Sequence, residues 1–335
     1  MIKEQKMSDL KIQAIDKIKP LLPTNVINAL NRLDSATLYA ITELRLRADG
    51  ICTITINAQN CVLSSSGVIK ELDKAIRVTK EELDAFIFKL CKGSVYSHET
   101  TLKDGYISRF GIRIGICGTY SYSGNSQGFS KILGVNIRLP HHIAGSSNQI
   151  MKYISENGFP DGKGILIASA PGVGKTTLLR DLAANLSGGF MQGTEQSFLR
   201  VCVIDERYEI FMEEVFCNCA ADFLSGMPKA KGIEAATRVM SAQVIICDEI
   251  GTQTEAEEML HASSGGVVLI ASVHANSEQS AYAKPHIKAL VDAGVFGAIY
   301  CLERKGNTVS GKLYTIKGQA EKNIVSHNES ANENA

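Results

Sequence analysis

Residues 169–176 read S-A-P-G-V-G-K-T, between the apolar run G-I-L-I-A and a helical pattern that opens at Thr177. A glycine turn joining a buried strand to a helix is a phosphate-binding loop in its required setting. Gly172 and Gly174 let the main chain curl so that successive N–H groups converge on an anion at the positive end of the helix. Lys175 adds a point charge for β- and γ-phosphates. Thr176 offers a hydroxyl to Mg2+, a hard cation that keeps waters in its other positions. The candidate nucleotide-binding residues are therefore Ser169, Ala170, Pro171, Gly172, Val173, Gly174, Lys175, Thr176 and Thr177. Ser169 stands where the motif usually has glycine, which matters only if the position needs a positive φ or a very close main-chain approach. The competing reading is an ordinary glycine-rich strand-to-helix turn.

Two further apolar runs end in paired acids. In V-I-I-C-D-E, Asp248 is placed to hold a water of the Mg2+ shell and Glu249 to orient or deprotonate the attacking water. A helix N-terminus rich in acids is the alternative, because the helix dipole favours carboxylates there. In V-C-V-I-D-E-R, Asp205 and Glu206 either join the Mg2+ shell or form a surface ion pair with Arg207. A fourth run, V-V-L-I-A-S-V, stops at His274, which either senses a γ-phosphate or only finishes the strand. Upstream, Arg109, Arg113 and Arg138 lie on strand-like segments. They either neutralise charge on transferring phosphoryl oxygens or are solvated strand positions.

The elements that must position these groups emerge from periodicity. From residue 146 onward apolar strands alternate with helical stretches: strands at 164–168, 201–205, 243–248, 267–273, 298–302 and 312–316, helices near 176–186, 230–241, 254–262 and 278–293. That alternation predicts an α/β fold, a RecA-like P-loop NTPase domain with a mainly parallel sheet over 146–316. Residues 1–40 read as an amphipathic helical lead in which Thr24 or Asn25 could cap a helix. Residues 41–145 read as a smaller α+β domain with strands at 104–121 and 131–139 and a helix near 80–92. The stretch 317–335 has few apolar residues and is expected to be a disordered tail.

Bulk composition excludes several classes. Lys and Arg number 35 against 35 Asp and Glu, so no overall charge excess draws the chain to nucleic acid or anionic lipid. The longest apolar stretches, around 264–273 and 164–170, are too short to cross a bilayer as helices, and no charged leader precedes an apolar run at Met1. Any membrane role is thus expected to run through partners. Nine cysteines, an odd number, suit free thiols in a reducing compartment better than a disulfide framework. Cys217 and Cys219 flank one residue, but no second pair lies at zinc-like spacing.

Together, G-V-G-K-T-T-L-L-R-D-L, V-I-D-E-R-Y-E-I, V-I-I-C-D-E-I-G-T and G-G-V-V-L-I-A-S-V-H-A-N closely resemble segments of the stage III sporulation protein AA family of endospore-forming bacteria. So do I-T-E-L-R-L-R, S-V-Y-S-H-E, D-G-Y-I-S-R-F-G-I-R-I-G-I-C-G and V-N-I-R-L-P in the first domain, for a coverage of about 20–316. More distantly the chain resembles type II and type IV secretion ATPases, whose Walker A, Asp box, Walker B and His box correspond in order to these four strand ends. The resemblance implies an ATPase that uses ATP and Mg2+ and works as a homo-oligomeric ring, a hexamer. It implies a place at the cytoplasmic face of the mother-cell membrane around the forespore, with membrane proteins of a channel complex as partners. By position it assigns Asp205 and Glu206 to the Asp box, Asp248 and Glu249 to Walker B, His274 to the His box, and Arg109, Arg113 and Arg138 to basic positions that reach nucleotide from the first domain. Two rivals are a nucleic-acid translocase or helicase, which the balanced charge disfavours, and a non-hydrolysing nucleotide-dependent scaffold, which Glu249 disfavours.

Overall fold

The computed structural model of the chain describes residues 13–56, 59–91, 105–123, 126–140, 142–306 and 308–316. Its contacts divide between two units, 1–141 and 142–335.

In the first unit, helices α1 (Gln13–Ile18), α2 (Thr24–Leu30), α3 (Ser35–Ala40) and α4 (Lys80–Leu90) accompany nine strands. These are β1 (Ile41–Arg47), β2 (Gly50–Ile51), β3 (Thr53–Ile56), β4 (Gln59–Ser64), β5 (Gly67–Ile69), β6 (Arg77–Val78), β7 (Tyr106–Arg109), β8 (Ile112–Ser123) and β9 (Ser126–Arg138). Seven of them form an antiparallel sheet in the order β5-β4-β3-β1-β9-β8-β7. Alternation along the strands buries Leu44, Leu46, Ile114, Val135 and Ile137 on one face and leaves Glu43, Arg45, Arg113 and Arg138 on the other. Helix α4 begins at a capping box, in which Thr79 Oγ accepts the Glu82 N–H and the Glu82 carboxylate accepts the Thr79 N–H. Its Leu83, Phe86, Ile87 and Leu90, spaced by three and four, close the core.

The single strand expected over 104–121 is two. Phe110 and Gly111 both have positive φ, 56° and 71°, and turn β7 back onto β8 as a two-residue hairpin. The helical lead is not separate: Ile18, Leu22, Val26 and Leu30 share the core of the sheet. Neither Thr24 nor Asn25 caps α2, whose N-cap is Pro23. Residues 1–12 of that lead, the S-V-Y-S-H-E segment and the tail 317–335 lie outside the described residues.

The second unit is built on strands β10 (Gly164–Ser169), β11 (Phe190–Gln192), β12 (Glu195–Ser197), β13 (Val201–Asp205), β14 (Ala221–Ser225), β15 (Val244–Glu249), β16 (Val268–His274), β17 (Phe296–Lys305) and β18 (Thr308–Thr315). Its helices are α5 (Asn148–Asn157), α6 (Lys175–Gly188), α7 (Glu213–Phe216), α8 (Lys229–Arg238), α9 (Gln253–Ser264), α10 (Glu278–Tyr282) and α11 (Pro285–Asp292). The main sheet runs β14-β13-β15-β16-β10-β17-β18, parallel except for β18. Leu166 and Ala168 pack with residues of α8, α9 and α11 on one face, and Ile165 and Ile167 with α5 and α6 on the other. Burial on both faces is why these strands read as continuous apolar runs. The helix expected over 278–293 is broken between α10 and α11, because Pro285 has no N–H to donate and holds Lys284 in extended backbone. From β10 the chain crosses to β13 on one side, and later returns to β17 on the other. The C-terminal end of β10 is therefore a topological switch point, where open α/β sheets carry their ligand crevice.

Candidate nucleotide site

All six residues of β10 are buried, and Ser169 is the last of them. Beyond it Gly172 and Gly174 take φ of 74° and 130°, values that side chains resist, with open space where a Cβ would stand. Gly174 is also the N-cap of α6, and no side chain caps that end. The first-turn N–H groups of α6 therefore keep no side-chain acceptor at the cap, the condition under which a helix N-terminus takes an anion. Ser169 does not have positive φ, so the serine fits where the motif usually has glycine.

Lys175 folds back over the loop. Its Nζ lies 3.3 Å from the carbonyl of Ser169, 3.4 Å from Ser169 Oγ and 3.3 Å from the carbonyl of Ala170. It also lies 2.7 Å from Nδ1 of His274, and Nε2 of that ring is 3.1 Å from Glu249 Oε2. Ser169 and His274 are register partners on adjacent strands, so the pairing of β10 with β16 brings loop lysine and histidine together. With the lysine ammonium donating to Nδ1, the ring carries its proton on Nε2 and donates to Glu249. Burial pushes Lys175 down to about 8, against the pull of Glu249 in the other direction; nearby Lys284 adds to the fall.

A bulge sets the acids of β15. Cys247 pairs with Ala271 but Glu249 with Ser272, leaving Asp248 as the extra residue. The bulge re-aims the chain so that Asp248 and Glu249, one residue apart, meet different partners at one strand end. Asp248 is 7 % exposed and faces Lys229, whose Nζ is 3.0 Å from its Oδ1. Glu249 meets His274, with Arg207 Nη1 3.9 Å away.

A family model described as "Sporulation stage III, protein AA" matches residues 13–321. Stage III sporulation protein AA of Bacillus subtilis (strain 168) is 30% identical over 314 residues, which is 91% of this chain and 96% of that protein. The chain belongs to the stage III sporulation protein AA family. Among solved structures it resembles the pilus retraction motor PilT with bound ADP, at a TM-score of 0.56 and 13% identity over 85% of this chain and 82% of that one. The ATPase DotB of Yersinia pseudotuberculosis gives a TM-score of 0.55 and 10% identity over 82% and 75%. At those identities the likeness is one of fold, which this family member shares with those two proteins.

Other expected site residues fall elsewhere. Asp205 is fully buried, and its carboxylate accepts the N–H groups of Glu209 (2.7 Å), Ile210 (3.0 Å) and Phe211 (2.9 Å). Its geometry ties down the 206–211 turn. Burial holds its pKa above the ordinary aspartate value, those N–H groups oppose the rise, and Asp248 adds to it. Glu206 reaches only to within 3.9 Å of Lys229. Arg109 Nη1 donates to the carbonyls of Lys89 and Leu90 and so closes the C-terminus of α4. Arg113 lies over the ring of Tyr106 at 4.3 Å, opposite Arg138 in register. Arg138 is 62% exposed and 3.7 Å from Glu43.

Four residues of this family member escaped the reading of its sequence. Lys229 is 5 % exposed at the start of α8. The signal was there, since a cation in a first helical turn opposes the helix dipole and calls for carboxylate partners. Arg304, at the end of β17, extends Nη2 to 3.4 Å from the carbonyls of Gly172 and Val173, and nothing local marks it. Arg180 and Asp181 are adjacent buried charges on α6. Arg180 Nε donates to the Ile210 carbonyl (2.7 Å), and Asp181 accepts from Ser147 N (2.8 Å), Ser147 Oγ (2.6 Å) and Gly145 N (3.2 Å). A charged pair inside T-L-L-R-D-L, an otherwise apolar helical face, was their signal.

Proposed function

We propose that this chain hydrolyses ATP as a motor of secretion-ATPase type and energises a sporulation-associated channel or transport complex between mother cell and forespore. The observation that carries the reading is the meeting of Lys175, His274 and Glu249 at the ends of β10, β16 and β15, beside an uncapped helix N-terminus. The loop N–H groups and Lys175 take the β- and γ-phosphates. Glu249 orients the attacking water and accepts its proton. A γ-phosphate competes with His274 for the Lys175 ammonium, so its arrival releases the lysine–histidine contact and its departure restores it. Those two arrangements are the differential contacts a nucleotide-driven cycle needs.

The residues present also fit magnesium, through the Thr176 hydroxyl in the first turn of α6 and the buried Asp248 carboxylate at the end of β15. Held there with the nucleotide, Mg2+ would supply charge neutralisation at the phosphates. Ring assembly, as a hexamer, would let Arg138 or Arg113 serve a nucleotide from the first unit. The chain would work at the cytoplasmic face of the mother-cell membrane with membrane proteins as partners; no helix among the described residues is long and apolar enough to cross a membrane.

Lys175→Ala tests the reading. The variant should remain folded and release no phosphate above background, and persistent turnover would refute the site. ATPase rate with and without single-stranded DNA separates the translocase reading, which requires strong stimulation.

A further inference from the structure

The geometry points to Lys229 as the resident counter-ion of the Walker B aspartate, a positioning residue that bars a divalent cation from the site until a nucleotide brings one. Its ammonium is 3.0 Å from Asp248 Oδ1, 3.6 Å from Glu255 Oε1 and 3.9 Å from Glu206 Oε2, and it donates to the carbonyl of Glu249. These partners come from the end of β15, the first turn of α9 and the residue after β13. One buried cation therefore joins three elements around the place where Mg2+ would lie. Burial disfavours its charge, but the carboxylates of Asp248 first and then Glu255 outweigh that cost and keep the lysine above its ordinary pKa.

The consequence for a metal is electrostatic. Asp248 Oδ1 is buried and its near polar neighbour is the Lys229 ammonium at 3.0 Å, so the ammonium holds the oxygen a cation would seek. A dication entering alone meets that positive charge at close range and low dielectric. Among the described residues no three His, Cys, Asp or Glu side chains converge closely enough to hold a metal ion by themselves. A dication that arrives on the phosphates brings its own compensating charge and needs from Asp248 only a hydrogen bond to one of its waters. Metal loading is thus tied to nucleotide loading, which rests on the nucleotide reading above.

The test is Mn2+ binding by the full-length protein without nucleotide, followed by calorimetry or electron paramagnetic resonance. Wild type should take up no ion at millimolar Mn2+. Lys229→Met, which keeps the length of the chain and removes its charge, should gain one ion with at least a tenfold tighter Kd. Lys229→Arg should behave as wild type, and Lys229→Met with Asp248→Asn should lose the gain, a reversal that a purely structural role for the lysine would not produce. Lys229→Gln replaces the methionine variant if that one does not fold. Uptake of Mn2+ by nucleotide-free wild type overturns the proposal, as does a folded neutral variant with wild-type Mn2+ affinity. Fluorescent ADP titrated in chelator keeps the two readings apart: if no variant binds it, the nucleotide reading fails while the Mn2+ comparison still decides the role of Lys229.

Discussion

Neighbouring strands β13 and β15 both end in Asp-Glu after an apolar run, and the two ends do different work. After Asp205 the chain turns back through a left-handed Tyr208, φ 57°, and presents three N–H groups to the buried carboxylate. After Glu249 it runs into the capping box of α9, where Thr252 and Glu255 satisfy the helix start themselves. That leaves Asp248 and Glu249 to Lys229 and His274. The same kind of strand end thus becomes a turn anchor in one place and an ionic cluster in the other. The difference comes from the segment after each strand and from the bulge, which only β15 carries at its acids.

Substitutions can break this contrast. The largest expected effect is at Glu249→Gln, which should lower kcat by about 10²–10⁴-fold while ATP binding persists; kcat within a few-fold of wild type would remove Glu249 from the chemistry. Asp205→Asn should instead act on the fold, costing about 2–3 kcal/mol in denaturant titration because a buried charged acceptor of three N–H groups is lost. Turnover per folded molecule should change little, and a selective loss of Mg2+-dependent turnover would return Asp205 to the metal shell.

Next comes pH. With Lys175 at about 8, the nucleotide-free protein loses that ammonium as pH rises through 8, whereas bound phosphate holds the proton. ADP affinity should therefore fall above pH 8, approaching about tenfold per pH unit, and Lys175→Met should abolish the slope. The sign for stability is opposite. A lysine whose folded pKa lies below its unfolded value binds fewer protons when folded, so its burden on the fold is relieved between about 8 and the ordinary lysine value. The smallest effect is at Arg109→Ala, expected to cost about 1 kcal/mol through the C-terminus of α4 and to leave nucleotide Kd unchanged. A change in Kd would restore Arg109 to the site.

The loop was legible because its requirements are local. Glycines must supply positive φ, and a lysine must follow them at the start of a helix whose N-terminus attracts anions. Strand ends at Glu249 and His274 were legible because burial on both faces leaves an unbroken apolar run that stops where the polar groups begin. The contact of Arg109 with the last carbonyls of α4 was not legible because those partners lie some twenty positions upstream, and no periodicity links them. The main-chain partners of Asp205 were not legible because a strand-end aspartate looks the same whether main-chain amides or ions await it.

From sequence alone came the order of chemical groups along the chain and the class of element that carries each, since both depend on neighbours within a few residues. Partnership was decided only in three dimensions. Lys175 meets His274 across 99 positions, and Lys229 meets Asp248 across 19, because parallel pairing of β10 with β16 and the packing of α8 beside β15 bring them into range. Coulombic and hydrogen-bond energies depend on distance through space and on burial, and neither is a property of a residue's place in the chain.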